Sequence, residues 1–386
     1  MVESGRLNMV GIIQEQHPDR CRLFMQWKEM GWPILVDSLN LLEVSAVPIT
    51  VAVDEHGIVR ELGLGLDDVE SFRSGFMETE FEAPNGETVD SSAESIWVVP
   101  DDPGAFADAS ELARFAGLAI RSGEVARFDA AVDAYRRAVE LEPENGWNQF
   151  RLGVALRMRF DSELRRTGDF QAAVNAWKAA LDLDPNQYIW RRRIQQYGPR
   201  LDKPYPFYDW VPTAREKIAA RGDAPHDLAV EPGGAEFAQP LADFEASGEV
   251  AEPDARGRIH RDEGELITME TVAVPGALDP GEAAQLHLTF RPNEEKRAHW
   301  NNEVEGVEVW VRAPDGYALD NPYRSLPIPA EAVSLEVRST EVEIRRESGP
   351  AGEATVDGYA LYYVCEDVNG TCLYRRQDFA IQLESR

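Results

Sequence analysis

The sequence contains few cysteines and few basic residues, and it has no long apolar run. Three cysteines in 386 residues are too few for a disulfide-rich scaffold. Lys and Arg number 39 against 69 Asp and Glu, and the net charge of −30 argues against binding to nucleic acid or to anionic membranes. No stretch reaches the roughly 18 apolar residues of a membrane helix, so we predict no direct membrane insertion.

Several catalytic motifs are also missing. The chain contains no Gly-rich phosphate loop, no G-x-S-x-G and no H-E-x-x-H, which leaves nucleotide hydrolysis, serine esterase chemistry and zinc proteolysis unsupported. Its six histidines are scattered, and no ligand set has the spacing of a metal site. We therefore predict neither a cofactor nor a metal ion.

What the sequence does contain indicates a multidomain α+β protein. The 43% apolar content can supply the cores of two or three domains. In residues 1–104, a branched apolar run at Asn8–Gln14 predicts a buried parallel strand, and a helix should follow over Asp19–Met30. The order of strand, helix, strand and hairpin is typical of an α/β sheet. The remaining strands are predicted at Trp32–Asp37, Pro48–Asp54 and Ile58–Leu62.

The motifs VGIIQE, WPILVD and AVPIT, followed by a DEHG turn, resemble the later half of a thioredoxin-like redoxin domain. The resemblance implies a cis peptide bond before Pro48, with this proline facing an active site. That family carries a Cys-x-x-Cys helix upstream of the strand at Val10, whereas here only nine residues stand there and Cys21 falls on the second helix. Either the true start lies upstream, or the segment is a redoxin remnant without its nucleophile.

Residues 105–218 have the spacing of paired helices. Counting from Leu112, bulky, small and proline residues recur at the positions that a tetratricopeptide unit of about 34 residues requires, and a second unit starts at Gly146. The region therefore resembles two tetratricopeptide repeats, the second with an insertion of about eight residues around Phe160–Arg166. Because such arrays usually need about three units, we expect the pair to rest on other parts of the chain, with a capping helix at Asn186–Tyr197.

Arginines are concentrated in this helical region of an otherwise acidic chain. The most prominent are Arg157, Arg191, Arg192 and Arg193. Two interpretations stay open: a solvated face that pairs with the chain's own carboxylates, or a groove that binds an acidic peptide.

A linker and a β module complete the chain. Residues 219–264 are rich in Ala, Gly, Pro and Glu without a sustained period, which predicts the linker. Residues 265–386 alternate apolar and polar side chains in runs separated by turn residues, and about seven strands of this kind are typical of an immunoglobulin-like sandwich. The predicted strands include Leu266–Val274, Ala284–Pro292, Val307–Ala313, Val333–Arg345, Thr355–Cys365 and Cys372–Leu383.

Cys365 and Cys372 flank a predicted turn, and each lies close to it on a strand. If the loop is the four residues 367–370, the two cysteines face each other at a Cα separation that suits a disulfide. If Asn369 and Gly370 form a two-residue turn, Cys365 faces Tyr374 instead. A bond would close a loop of about eight residues and contribute only about 2.5 kcal/mol. Three interpretations stay open: a redox couple, a structural disulfide, or two free thiols.

With this hairpin, the β module resembles the amino-terminal domain of the thiol:disulfide interchange protein DsbD. The resemblance implies that Cys365 and Cys372 cycle between dithiol and disulfide, passing electrons between a thioredoxin-like donor and an oxidised client. On charge alone Cys372 is the better nucleophile, because Glu366 disfavours a thiolate at Cys365. For the polar run His299–Glu303 two interpretations stay open: residues that orient a client or lie near the cysteines, or a loop whose side chains cap their own backbone, and we place it outside the predicted site.

The sequence therefore predicts thiol–disulfide exchange with protein partners through Cys365 and Cys372, with the repeats recruiting a partner. That partner is a redox donor, a client or a ligand of the repeats, and no nucleic acid is expected. The rival interpretation is a non-enzymatic repeat scaffold in which the cysteine pair only braces its hairpin. The expected compartment is periplasmic or extracytoplasmic if the N-terminus is truncated, and cytoplasmic otherwise.

Overall fold

The protein has a mixed α+β fold, as the sequence predicts. A computed structural model describes most of the chain, including all fourteen strands discussed below. The central part of the predicted linker and the predicted turn at 367–370 lie outside the described residues. The structure describes residues 5–45, 47–62, 72–82, 104, 106–198, 210–230, 250–347, 353–366 and 371–384.

The N-terminal segment forms two small sheets. Strands β1 (Gly11–Ile13) and β2 (Ile34–Val36) pair in parallel across helix α1 (Asp19–Lys28), and β3 (Val51–Val53) pairs antiparallel with β4 (Val59–Leu62). All four strands are shorter than predicted because the ladder hydrogen bonds cover only three or four residues of each apolar run.

Asp54 shapes the turn between β3 and β4. Its carboxylate accepts hydrogen bonds from the backbone N–H groups of His56 (2.8 Å) and Ile58 (2.9 Å), so the side chain satisfies donors that the turn leaves free. These bonds help to lower the pKa of Asp54, although its burial acts in the opposite direction. A short π-helical turn, Arg73–Met77, follows.

Five helices form the middle of the chain, and they pack pairwise in the order in which they occur. Side chains cap the starts of two of them: Asp108 accepts from the N–H groups of Ser110 and Glu111, and Asn145 accepts from those of Trp147 and Asn148. The helices are α2 (Ala109–Arg121), α3 (Phe128–Leu141), α4 (Gly146–Phe160), α5 (Asp169–Leu183) and α6 (Tyr188–Gln195).

Gly153 lets α4 and α5 approach closely. A Cβ atom at this position would lie 2.4 Å from the indole nitrogen of Trp177, whose side chain is fully buried. A side chain larger than hydrogen would therefore force the two helices apart. Residues 161–168 connect the helices and coincide with the predicted insertion.

The helical core extends into the rest of the molecule. Leu39 of the N-terminal segment and Val272 and Val274 of strand β5 are buried in the same apolar cluster as the helices. The paired helices thus share their core with other parts of the chain. Helix α7 (Trp210–Ala220) packs against α1, where the Trp27 and Trp210 rings stack with centroids 5.9 Å apart.

Two antiparallel sheets form the β module. One has the strand order β5-β6-β12-β9; the other has β10-β8-β13-β7-β11, with β14 paired to the second edge of β13. The strands are β5 (Ile267–Val274), β6 (Ala283–Pro292), β7 (His299–Asn301), β8 (Glu308–Arg312), β9 (Tyr317–Leu319), β10 (Tyr323–Ser325), β11 (Val333–Ser334), β12 (Arg338–Arg346), β13 (Ala354–Cys365) and β14 (Cys372–Leu383).

One apolar core lies between these sheets. Phe290 and Ile344 from the first sheet and Trp300 and Val364 from the second are all fully buried in one cluster. The predicted strand Val333–Arg345 is wrong as a single element, because β11 pairs with β7 in the second sheet whereas β12 pairs with β6 in the first. The chain changes sheets between them.

Part of the predicted linker packs on the β module. Asp254 is buried, and its carboxylate lies 2.8 Å from a guanidinium nitrogen of Arg376 on β14. The backbone N–H of Asp254 also donates to the Tyr359 hydroxyl at 2.9 Å. Residues 250–262 therefore pack against β13 and β14, and residues 260–262 pair with the edge of β14, so this part of the linker is not a free connection.

Tyr197 joins the three parts of the molecule. Its hydroxyl lies 2.8 Å from the Nε2 of His17, and its backbone carbonyl lies 2.7 Å from the Nε2 of His287 on β6. Burial, followed by the charges of Arg157 and Arg193, lowers the pKa of His17 well below its usual value. Within this junction His17 is neutral at physiological pH.

Candidate functional site

The two cysteines predicted to carry the chemistry form a disulfide at the end of the β13–β14 hairpin. Cys365 and Cys372 are directly opposed, and their Cα atoms lie 3.9 Å apart. The backbone N–H of Glu366 donates to the Thr371 carbonyl at 3.2 Å, closing the hairpin one residue further on. The structure thus has the first of the two registers that the sequence left open.

The two sulfur-bearing residues differ in exposure. Cys365 is 3% exposed, whereas Cys372 belongs to the exposed class of residues. A thiolate from another protein can therefore approach the Cys372 residue more readily than Cys365. The charge argument from the sequence and the burial in the structure favour the same cysteine.

His299 lies next to the cysteine pair, one of the two interpretations left open for its polar run. It belongs to β7, which pairs with β13 so that His299 opposes Cys365 and Trp300 opposes Val364. Directly opposed side chains of adjacent strands lie on the same face of a sheet. His299, Cys365 and Cys372 therefore form a row across three strands. The only sequence signal for β7 is one buried aromatic, Trp300, between two polar residues.

Two tyrosines form the next opposed pair on the same face of the hairpin, two residues away from the cysteines on each strand. The Tyr363 and Tyr374 rings stack with centroids 4.3 Å apart and an interplanar angle of 21°. Burial raises the pKa of both phenols, and the carboxylates of Glu308 and Glu305 raise it further. The stacked rings are therefore neutral and form an apolar flank beside the disulfide.

The nearest arginines on β14 are already engaged. The guanidinium of Arg376 is buried and contacts the carboxylates of Asp254 and Asp378, and it lies 3.7 Å from the Tyr359 ring centroid. Arg375 donates to the backbone carbonyl of Tyr374 at 3.2 Å. Two carboxylates thus compensate the charge of Arg376, whereas Arg375 donates to a neutral carbonyl.

The other predicted site residues lie in different parts of the molecule. The Val47–Pro48 peptide bond is cis, and Pro48 lies just before β3. Cys21 is a free thiol on α1, and burial, followed by the charge of Glu15, raises its pKa. A raised pKa disfavours the thiolate, so Cys21 is a poor nucleophile.

The four arginines of the predicted groove do not line a common groove. Arg157 and Arg193 are buried: Arg157 pairs with Asp161 at 3.0 Å, and Arg193 donates to the backbone carbonyls of Gln14 and Ser38. Arg192 is partly buried. Only Arg191 lines a groove, of about 1040 Å³, where α5 and α6 face β5 and β14.

The described residues contain no group of three or more His, Cys, Asp or Glu side chains placed to hold a metal ion. Among the described helices, none combines the length and the apolar character needed to cross a membrane.

Comparison with known proteins yields only weak likenesses. No protein-family model matches the chain, and no curated protein matches it. Among solved structures, it is similar to AvmM, which catalyses macrocyclization in alchivemycin A biosynthesis, with a TM-score of 0.20 and 12% identity over 33% of this chain and 95% of the other.

Two further likenesses are of the same strength. One is to the GAE domain of GGA2p from Saccharomyces cerevisiae, with a TM-score of 0.20 and 14% identity over 31% of this chain and 92% of the other. The other is to BslA, a bacterial hydrophobin, with a TM-score of 0.17 and 13% identity over 31% of this chain and 95% of the other. At these scores the likenesses carry no argument about function, and no family is assigned to the chain.

Proposed function

We propose that the protein performs thiol–disulfide exchange with protein partners through Cys365 and Cys372. The observation that supports this function best is the unequal exposure of the pair: Cys372 is exposed and Cys365 is 3% exposed. A disulfide whose two cysteines differ in exposure favours attack at the more exposed residue, and directional exchange requires such a preference.

The reaction proceeds in two displacements. A partner thiolate attacks the Sγ atom of Cys372, the bond to Cys365 breaks, and its electron pair leaves on the Cys365 sulfur, which then takes up a proton. A second partner thiolate attacks the partner's own sulfur in the mixed disulfide and releases Cys372 as a thiolate. Two electrons have then passed from the partner dithiol to the hairpin, and the partner is oxidised to a disulfide.

His299 is the group placed to handle the proton of the buried sulfur. It opposes Cys365 directly, and an imidazole can donate a proton to a departing thiolate and take it back in the reverse reaction. The stacked pair of Tyr363 and Tyr374 flanks the disulfide on the same face. These neutral rings offer an apolar surface to the partner.

The rest of the chain fits partner recruitment. We propose that α2–α6 are tetratricopeptide-type hairpins with a capping helix, that the N-terminal segment is redoxin-like with Pro48 as its cis-proline, and that the β module is an immunoglobulin-like sandwich. The close approach of the Trp177 ring to Gly153, which has no Cβ atom, supports the tetratricopeptide-type hairpins. The two facing sheets with a common core support the immunoglobulin-like sandwich.

A redox titration tests the proposed function. The full-length chain carrying Cys21→Ser, which leaves only the hairpin cysteines, is equilibrated in graded thiol buffers, alkylated and analysed by mass spectrometry. A midpoint between about −270 and −120 mV, with rapid exchange, supports electron transfer. A midpoint below about −300 mV contradicts it, because such a bond is structural in ordinary thiol pools.

A second function deserves the same measurement. The regular pairing of Cys365 and Cys372 along an unbroken hairpin also suits a structural brace in a non-enzymatic repeat scaffold. The groove beside Arg191 would then be the main binding surface. A midpoint below about −300 mV supports this scaffold.

A further inference from the structure

The outer edge of β14 is open next to Cys372. The bond from the Glu366 N–H to the Thr371 carbonyl makes the next pair, Cys365 and Cys372, a non-hydrogen-bonded pair. Tyr374 lies two residues further along β14, so its peptide groups point the same way. The N–H and C=O groups of Cys372 and Tyr374 thus point away from β13, and neither N–H donates a hydrogen bond within the described part of the chain.

Residues 260–262 show that this edge accepts another strand. At Arg376, the next residue with the same orientation, the backbone N–H donates to the His260 carbonyl at 2.9 Å. The Arg376 carbonyl accepts from the N–H of Asp262 at the same distance. This short parallel bridge ends at Arg376. Between it and the hairpin end, the outward-pointing backbone groups of two residues, Cys372 and Tyr374, remain unpaired by a neighbouring strand among the described residues.

A cavity of about 340 Å³ lies beside this stretch. Residues 260–264 line one side of it, and Glu366, Leu373 and Arg375 line the other. Asp262 is 8% exposed, and its Oδ2 atom accepts hydrogen bonds from the Tyr362 hydroxyl and the Ile267 N–H. Its Oδ1 atom is buried and accepts none within the described residues. The Asp262 carboxylate at this cavity thus keeps one oxygen that no described donor satisfies.

The charges around the cavity select a basic group. Glu263 and Glu366 are exposed and form no ion pair with any described residue. Of the two arginines at the cavity, Arg261 is paired with Asp378, and Arg375 donates to a backbone carbonyl. The cavity therefore has unpaired carboxylates, and the whole chain carries a net charge of −30. A partner segment with positive charge would complement both the carboxylates of the cavity and the negative charge of the whole chain.

We propose that this edge docks an extended, cysteine-containing and basic segment of a partner protein as an added β-strand. The inference rests on the proposed exchange function and names its partner surface. Backbone hydrogen bonds to Cys372 and Tyr374 hold the segment, and a Lys or Arg side chain enters the cavity toward Asp262. The partner cysteine then lies beside the exposed residue Cys372, where the mixed disulfide forms.

Two variants at Tyr374 distinguish the contribution of its backbone N–H to partner binding from that of its ring. Tyr374→Ala removes the stacked ring and keeps the outward N–H, whereas Tyr374→Pro removes both. Because this N–H does not bond to β13, proline at this edge position leaves the ladder to β13 intact. Circular dichroism and thermal unfolding of both full-length variants, compared with the parent Cys21→Ser chain, verify that the fold is kept.

The measurement is the rate at which each protein's disulfide is reduced. The probes are a synthetic peptide of about ten residues with lysines flanking one cysteine, the same peptide with glutamates instead, and dithiothreitol. We expect Tyr374→Pro to react about tenfold more slowly than Tyr374→Ala with the lysine peptide, as for one lost hydrogen bond, and equally fast with dithiothreitol. Equal rates for both variants with the lysine peptide would overturn the docking edge.

The charge of the cavity has its own test. In the parent chain the lysine peptide should react faster than the glutamate peptide, and Glu263→Gln should reduce that preference by about two- to threefold. Equal rates for the two peptides would overturn the basic partner. A parent chain that dithiothreitol reduces readily, with no difference between peptides or variants, refutes only the docking surface. Failure of every thiol to reduce the bond refutes the exchange function itself.

Discussion

The N-terminal segment and the β module are built from similar strand-forming residues, yet they bury them very differently. All ten residues of β6 are buried, and Phe290 at its centre is fully enclosed. In the N-terminal segment, Leu35 on β2 is 56% exposed and Leu62 on β4 is 73% exposed. Apolar content alone therefore does not create a core.

The difference lies in how many layers each region has. The β module places two sheets of several strands face to face, and each sheet covers the other. The N-terminal sheets have two strands each, a size that is marginal by itself. This segment is attached largely through α1, which packs on α7, and through polar contacts such as those of Arg193.

The largest expected change in stability comes from truncating one apolar side chain in each region. It tests directly whether the β module and the N-terminal segment differ in burial. Phe290→Ala should lower the free energy of unfolding by about 3–5 kcal/mol, because it leaves a cavity between the sheets. Leu62→Ala should change it by less than about 0.5 kcal/mol, because the side chain is mostly in water. Chemical denaturation measures both. Similar losses for the two variants would contradict the assigned difference in burial.

A smaller loss of stability is expected where a helix backbone lies close to a buried side chain of the next helix. Gly153→Ala puts a methyl group against the buried Trp177 ring and should cost about 1–3 kcal/mol of unfolding free energy. Gly31→Ala is the matched control in the N-terminal segment, because nothing lies within 4 Å of its added Cβ. Thermal unfolding of the two variants provides the measurement. A Gly153→Ala protein as stable as the control would mean that α4 and α5 lie further apart.

The smallest effect is a loss of stability on acidification. Folding lowers the pKa of His17, so below about pH 6.5 the unfolded state binds more protons and the folded state loses stability. Between pH 7 and 5.5 the loss should be about 1 kcal/mol greater for the wild-type chain than for His17→Gln. Urea denaturation at the two pH values tests this.

Hydrogen exchange locates the pH effect. We expect faster exchange in α1 and the strands beside His17 at pH 5.5, after correction for intrinsic rates, and little change in β8 and β13, because neither of these strands contains a histidine. An equal increase in both regions would show that the junction at Tyr197 does not act locally. An acid loss that His17→Gln fails to reduce would assign the effect to another group.

Strand positions in the β module follow well from sequence, whereas the pairing of the strands does not. The predicted bounds of β14, Cys372–Leu383, agree with the structure because apolar side chains alternate along its second half above a buried face. Strands β9 and β10 were missed because each has only three residues, too few to show a period. The division between β11 and β12 was missed because an apolar run does not indicate which sheet receives each half.

The candidate site shows the same division. The positions of Cys365 and Cys372 and the possibility of their direct pairing follow from the turn residues between them. The pairing of His299 with Cys365 does not follow, because a three-residue strand with one aromatic side chain does not indicate which strands it pairs with. Arg157 and Arg193 resembled a surface cluster, since basic residues on helices are usually solvated, yet both are buried against other segments.

The sequence by itself determined the α+β class, the acidic charge, most element positions and the cysteine pair, because propensity, periodicity and turn chemistry act over a few neighbouring residues. Only the tertiary structure decided which cysteine is exposed, which arginines are buried and which strand edge is open. Those properties depend on contacts between residues far apart in the chain, such as Cys365 with His299 and Asp262 with Arg376. Local patterns do not encode such contacts, because burial is set by whatever packs on the other side.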